Sequence, residues 1–317
     1  MHRCAHQTIS LGILNNECDE ANETEERYQN IAYAWLILPL AAVAVFCVYP
    51  AVAAIFRSFM DWSPSSAEWI WFGNYRELFS DALFRQAFGN MLILVLFSLI
   101  TSNVMTLLLA ELLFNLKLRR LEKVYRYLFL LPALVPGMVT VLLWKNVILS
   151  GAEEGLMNTI LALFGAEPSG WYFDKDKVIL SMILTNFPWV GGVSFLIYLS
   201  GLQAIPESVY EAGELEGLGA FKRLVYIDLP LLVSQIKYFI IIGVINGVQV
   251  YDIQLILGLS AIDPASTVPG YMLYYYTFAS PEYGYAASIG VLLFVITLAV
   301  STVSNKISDR LNAENGV

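Results

Sequence analysis

The sequence predicts an all-α integral membrane protein with six spans. Three observations carry that expectation. First, the 317 residues are 57% hydrophobic and only 14% charged, with a mean hydropathy of +0.62, whereas soluble domains carry about a quarter charged residues. Second, six apolar runs approach or exceed the roughly 20 residues a helix needs to cross a bilayer: Ile31–Phe56, Asn90–Phe114, Tyr127–Ser150, Val178–Leu202, Leu232–Leu259 and Ala286–Val303. Third, these runs are continuous, while barrel strands alternate and are only about 10 residues long.

The chain opens on an acidic tail, residues 1–30, in which Glu17, Asp19, Glu20, Glu23, Glu25 and Glu26 outweigh Arg3 and Arg27. Its apolar run Ile9–Leu14 is too short for a secretory signal and no small-residue cleavage pattern follows, so the first span is expected to stay as a membrane helix. One membrane domain, 31–305, follows, and then a short C-terminal tail, 306–317.

Orientation follows from the basic residues. With the N-terminus inside, twelve Lys and Arg fall in inside segments and five in outside segments, with Lys145 left near the outer end of the third span, where its stem can snorkel. Both termini are therefore expected in the cytoplasm. The first outside segment, 57–88, carries Trp62, Trp69, Trp71, Phe72 and Tyr75, aromatics suited to a membrane–water interface. The second, 151–177, reads as a loop over a short helix at Leu156–Phe164. The third, 260–285, reads as a loop, an amphipathic surface helix and the approach to the last span.

Two spans are interrupted. The fourth holds Asn186, Pro188, Gly191 and Gly192; the fifth holds Gly243, Asn246, Gly247, Gln249, Tyr251, Asp252 and Gln254. Broken helices are tolerated in lipid where neighbours or a cavity satisfy the freed backbone. Polar side chains at that depth act as helix–helix glue or face a solvated path. Both clusters together point to a polar cavity between the fourth and fifth spans. A sugar site needs neutral hydrogen-bonding groups and a flat aromatic face, and Asn186, Trp189, Asn246, Gln249 and Tyr251 supply them.

Several chemistries are missing from the sequence. There is no phosphate-binding G-x-x-x-x-G-K-[ST] loop, no HExxH and no G-x-S-x-G. The only histidines are His2 and His6. The three cysteines, Cys4, Cys18 and Cys47, have no metal-ligand spacing. No basic footprint for nucleic acid is present. No catalytic residue, metal site or bound cofactor is expected, and ATP-driven work would need another chain.

The segment between the fourth and fifth spans, 203–231, is acidic and helix-forming rather than a short loop. Pro206 suits a first helical turn. Good helix formers run from Glu207 to Glu216, Gly217 and Gly219 end that helix, Ala220–Tyr226 makes a second short piece, and Leu229-Pro230 starts the next span. At these residues the chain resembles the permease subunits of binding-protein-dependent ABC importers. The hallmark of that family, E-A-A, three residues, G, then I-x-L-P, stands here as Glu211-Ala212-Gly213, Gly217 and Ile227-Asp228-Leu229-Pro230, with Gly213 and Glu216 as departures. Ser200–Pro206, Tyr251-Asp252 and Glu282–Ser288 resemble its carbohydrate-uptake, maltose-type subgroup, although Ile262-Asp263-Pro264 stands where that subgroup has GGP.

The resemblance implies a type I importer transmembrane domain with a cytoplasmic coupling helix in a bacterial inner membrane. It implies a second homologous permease, two ATPase subunits that bind ATP and magnesium, and an extracytoplasmic sugar-binding protein as partners, besides lipid. It assigns Tyr210, Glu211, Ala212, Gly213, Glu216 and Gly217 to coupling with the ATPase. It places Asn186, Trp189, Val190 and Val193 at sugar-contacting positions. A stand-alone ion-coupled carrier is the alternative, but it would need intramembrane acidic or histidine relays, for which Asp252 is the only mid-span candidate.

Overall fold

The computed structural model describes residue 33 and residues 35–116, 118–258 and 262–315. The acidic tail, 1–30, lies outside the described residues. The chain forms two units, Met1–Phe56 and Arg57–Val317. Helix α1 spans Trp35–Arg57, with one wider turn at Ala44–Val48, and none of its described residues is buried.

The second unit is built on α3, Ala82–Phe114, a helix of 33 residues and so about 50 Å long. Before it come a two-stranded antiparallel hairpin, β1 (Met60–Trp62) and β2 (Ala67–Trp69), paired Met60 to Trp69, and helix α2, Gly73–Ser80. The hairpin is absent from the sequence reading of 57–88. Asp81 starts α3 by accepting the amide of Leu83 at 2.8 Å, the usual N-cap bond.

The third predicted span is not one helix. α4 (Arg119–Leu134) and α5 (Gly137–Ile148) meet at 88°. The cause is Val135-Pro136: a residue before proline is driven to extended backbone, and Val135 has φ −83° and ψ 123°. Short helix α6, Leu156–Leu163, lies in the following loop as expected. The fourth span is broken as expected, into α7 (Val178–Thr185) and α8 (Gly192–Gln203). Next come the connector helix α9, Glu207–Leu215, and α10, Ala220–Leu231. The fifth span starts within a residue of where it is expected: α10 turns by 70° at Leu232 into α11, Val233–Val248. After a break, α12 (Asp252–Leu257), α13 (Pro269–Phe278) and α14 (Tyr283–Asn315) complete the chain; α13 is not the amphipathic surface helix expected, since Pro269–Met272 are buried and it packs against α14 and α3. α14 runs without interruption past the predicted end of the last span.

Among the described residues, three helices are long and apolar enough to cross a membrane, or five if each bent pair is one span. The broken α7–α8 segment accounts for the sixth run.

α3 packs against α7, α8, α11 and α13. Around its first half, Phe84, Met91 and Val95 meet Val244, Val248, Met272 and Ile289. Around its second half, Ala110 and Leu113 meet Phe195, Tyr198, Leu199, Leu202 and Leu232. A third cluster joins Val141 and Leu149 to Trp171, Val178, Met182 and Leu257. The α3–α11 crossing is close because α11 presents glycine there: a Cβ on Gly247 would stand 2.8 Å from Val95 Cγ2. Small residues at such crossings are what let membrane helices approach.

Candidate functional site: the connector and the broken spans

α9 ends in a Schellman turn. Gly217 takes φ +75°, which a side chain would resist, and Leu218 N–H donates to the Gly213 carbonyl while Gly217 N–H donates to that of Glu214, each at 3.0 Å. The six predicted coupling residues divide between two faces. Glu211, Ala212, Glu216 and Gly217 are exposed, while Tyr210 is half-buried and Gly213 buried. The departure at Gly213 has a packing reason: a Cβ there would come within 2.8 Å of Ile227 Cδ1. The outward face is acidic, with Glu207, Glu211, Glu214 and Glu216, and it also exposes Leu215 (90%) and, just beyond, Phe221 (76%). Large apolar side chains amid charge on an otherwise polar segment are the pattern of a binding surface.

Beneath α9 lies a polar network that the sequence reading did not anticipate. Tyr210 donates to Asp228 Oδ1 at 2.9 Å. Arg223 donates through Nε to Asp228 Oδ2 at 3.3 Å, and through its terminal nitrogen to Asn115 Oδ1 at 2.7 Å and to Glu111 Oε1. Asn115 donates in turn to the Glu111 carboxylate and carbonyl, both at 2.8 Å. Asp228 is fully buried and Glu111 nearly so. Burial, then the bond and charge of Asp228, push the Tyr210 hydroxyl well above its usual range, so it stays a donor at any physiological pH. The signal available in the sequence was Glu111 itself, a lone acid in an apolar run, and acids in such runs are rarely idle.

At the breaks, the Phe187–Pro188 peptide is cis and Trp189 has φ +58°. The Trp189 indole donates to the Ile183 carbonyl at 3.0 Å and meets Phe97 and Phe187 edge to face, at 5.8 and 5.0 Å. Its ring is thus held in the break rather than left open. Asn186 and Trp189 line a cavity of about 80 Å³ with Met91, Val95, Phe97, Ser98, Met182 and Gly247. Ligand pockets run to about 300 Å³ or more, so this space is too small for a sugar; its lining, which also includes Leu94, Ile183, Val250, Ile253 and Val268, is mostly apolar rather than the polar cavity expected. Asn246 and Gln249 do not line it; they are exposed on the surface of this chain, as is Val193, while Val190 packs against the Phe195–Tyr198 cluster. Tyr251 is half-exposed and stacks on Tyr274 at 5.7 Å. The structure therefore brings together Asn186 and Trp189 of the predicted path but not the other five. Asp252 sits in the first turn of α12, where a carboxylate complements the helix dipole. Lys145 does not snorkel: it donates to the Leu257 carbonyl at 2.9 Å and closes the other end of that helix.

Comparison with known proteins identifies the chain. Residues 102–313 match the family model described as "Binding-protein-dependent transport system inner membrane component". The chain is 30% identical over 273 residues to the arabinooligosaccharides transport system permease protein AraP of Bacillus subtilis, covering 85% of this chain and 86% of that one. It is 28% identical to the multiple sugar-binding transport system permease protein MsmF of Streptococcus mutans, over 88% and 95% of the two chains. It is 27% identical to the lactose transport system permease protein LacF of Rhizobium radiobacter, over 88% and 93%. Its fold matches a chain of the bacterial ABC transporter that imports the acidic polysaccharide alginate, with a TM-score of 0.79 at 21% identity, over 90% and 96% of the two chains. With the glycine-ended connector helix and the broken spans in place, the chain belongs to the inner-membrane permease components of binding-protein-dependent ABC importers.

Proposed function

We propose that this chain is one of two permease subunits of an ATP-driven importer that carries a sugar, of oligosaccharide or glycoside size, across a bacterial inner membrane. The observation that carries the reading is the α9 connector, an exposed acidic helix with apolar side chains, closed by Gly217 and fixed at both ends to spans. Such a helix fits a cleft in a soluble ATPase, with Glu211 meeting a basic group in a charge-assisted contact. ATP and magnesium belong to the two ATPase subunits and this chain binds neither. A sugar-binding protein delivers substrate to the opposite face, which puts the connector and both termini in the cytoplasm. The sugar relatives support the substrate class.

Asn186, Trp189, Val190, Val193, Asn246, Gln249 and Tyr251 form the substrate path against the second permease, and the small cavity at Asn186 and Trp189 is its closed state. A stand-alone ion-coupled carrier is disfavoured by the place of Asp252 in the first turn of α12, where its charge complements the helix dipole. Glu211→Lys tests the coupling role. The variant is expected to insert and pair with the second permease at wild-type levels while sugar uptake in whole cells is lost. Wild-type uptake at equal expression would overturn the assignment.

A further inference from the structure

The connector must do more than touch an ATPase; its displacement has to reach the breaks where substrate passes. We propose that Glu111, Arg223 and Asp228 form a charged joint that hands motion of α9 to α3, and that α3 carries it as a rigid wall against the hinged spans. This rests on the reading of α9 as the ATPase-docking helix.

The geometry joins three segments through one guanidinium. Arg223 sits on α10, its partner Asp228 holds Tyr210 of α9, and its other partners, Glu111 and Asn115, end α3. The guanidinium also lies 5.3 Å from the Tyr210 ring, which meets Phe114 of α3 at 5.7 Å. Every link is between side chains, and Asp228 is wholly buried. Well-packed apolar residues often stabilise such a site as well as a buried ion pair does; what directional, charge-assisted bonds add is a fixed relative orientation.

α3 is the element able to use that orientation. Between Ser98, on the cavity wall, and Glu111 it contains neither proline nor glycine, and those 13 residues span about 20 Å. The other cavity walls are broken at the same depth, at residues 186–191 between α7 and α8 and at 249–251 between α11 and α12. One stiff wall tied to the connector, facing two jointed ones, turns a shift of α9 into a change in the gap between them.

The test uses the complete transporter, both permeases with the ATPase pair, in lipid vesicles, supplied with its binding protein and sugar. Sugar moved per ATP hydrolysed is the readout, since a residue that only stabilises the fold leaves that ratio unchanged. Arg223→Met is expected to lower the ratio about tenfold, the ordinary scale of coupling between distant sites, while ATP hydrolysis stays within about twofold of wild type. Arg223→Lys, which keeps the charge, is expected to recover part of the loss. Should Arg223→Met fail to assemble, the charge-free variant Glu111→Gln with Arg223→Met and Asp228→Asn leaves no buried charge unpaired and is expected to assemble and be uncoupled. An unchanged ratio in an assembled variant would overturn the joint. Failure of the wild-type chain to assemble with an ATPase would instead overturn the docking role of α9.

Discussion

The two ends of the helical unit are tied together by different chemistry. At the loop end, three asparagines act as hubs. Asn74 donates to the carbonyls of Ser58 and Met60, each at 2.9 Å, and Asn90 to those of Pro264 and Thr267, each at 2.9 Å. Asn158 donates to the carbonyls of Ser150, Ala152 and Ser169 and accepts from the Ser169 amide and the Trp171 indole. These are neutral bonds made largely to backbone, and each pins a loop to one shape. At the connector end the hub is Arg223, ionised, and its bonds run between side chains, to Asp228 on its own helix and to Glu111 and Asn115 at the end of α3. Backbone-directed neutral hubs suit parts that must hold still, and a charged side-chain hub suits parts that must keep register while moving together.

That comparison breaks most clearly at the two hubs themselves. Asp228→Ala removes one partner of a buried ion pair and should cost about 3–5 kcal/mol. Asn158→Ala strands an indole N–H, an amide and three carbonyls, some of which reach water, and should cost about 1–3 kcal/mol. Chemical unfolding of the purified complex measures both; if Asn158→Ala costs as much as Asp228→Ala, the distinction between the ends is lost.

A finer test lies at Gly213. Alanine gains about 0.8–1 kcal/mol over glycine within a helix, but its Cβ presses on the end of Ile227, so Gly213→Ala should change stability by less than about 1 kcal/mol. Shortening the neighbour should release the gain, so that Gly213→Ala in an Ile227→Val background stabilises relative to Ile227→Val alone. No gain there would mean that Ile227 is not what keeps the position glycine.

The smallest effect belongs to Glu282, a carboxyl close to other acids at the loop end. Partial desolvation, then the charges of Glu77 and Asp61, raise the Glu282 carboxyl above its usual value. Its folded form therefore binds a proton more readily than its unfolded form. The stability linked to that proton is fully present below the unfolded value and is lost as pH rises through the folded one. Glu282→Gln should match wild type at acid pH and be more stable at neutral pH, by less than about 0.5 kcal/mol because the group is exposed and screened. Melting temperatures at both pH values decide it; a variant less stable at neutral pH would show the carboxylate to be a favourable partner.

Legibility in the sequence followed the physics of each element. The apolar runs, the break around Pro188 and the turn at Gly217 were readable because they depend on local chemistry: length in lipid, a missing amide, a positive φ. The bend at Val135-Pro136 had the same kind of signal and was hidden by the apolarity of its flanks, which continue the run on both sides. The hairpin was hidden because its strands are three residues each, too short for alternation to register. The charged hub was unreadable for a different reason. Glu111 and Arg223 are 112 residues apart, and nothing local to either names the other. The predicted path divided for the same reason: Asn186 and Trp189 meet through one break, while Asn246 and Gln249 depend on where α11 turns its faces.

Asn90 has one more consequence, and it concerns time. Its amide binds carbonyls that lie 174 and 177 residues later in the chain. At a synthesis rate of about 5–20 residues per second, Asn90 is made roughly 9–35 seconds before those carbonyls exist. During that interval the asparagine needs a temporary companion, from water, lipid headgroup or the insertion machinery. The loop end of this permease can therefore close only after nearly the whole chain has been made, so nascent chains stalled before residue 264 should expose Asn90 to capture by whatever attends them.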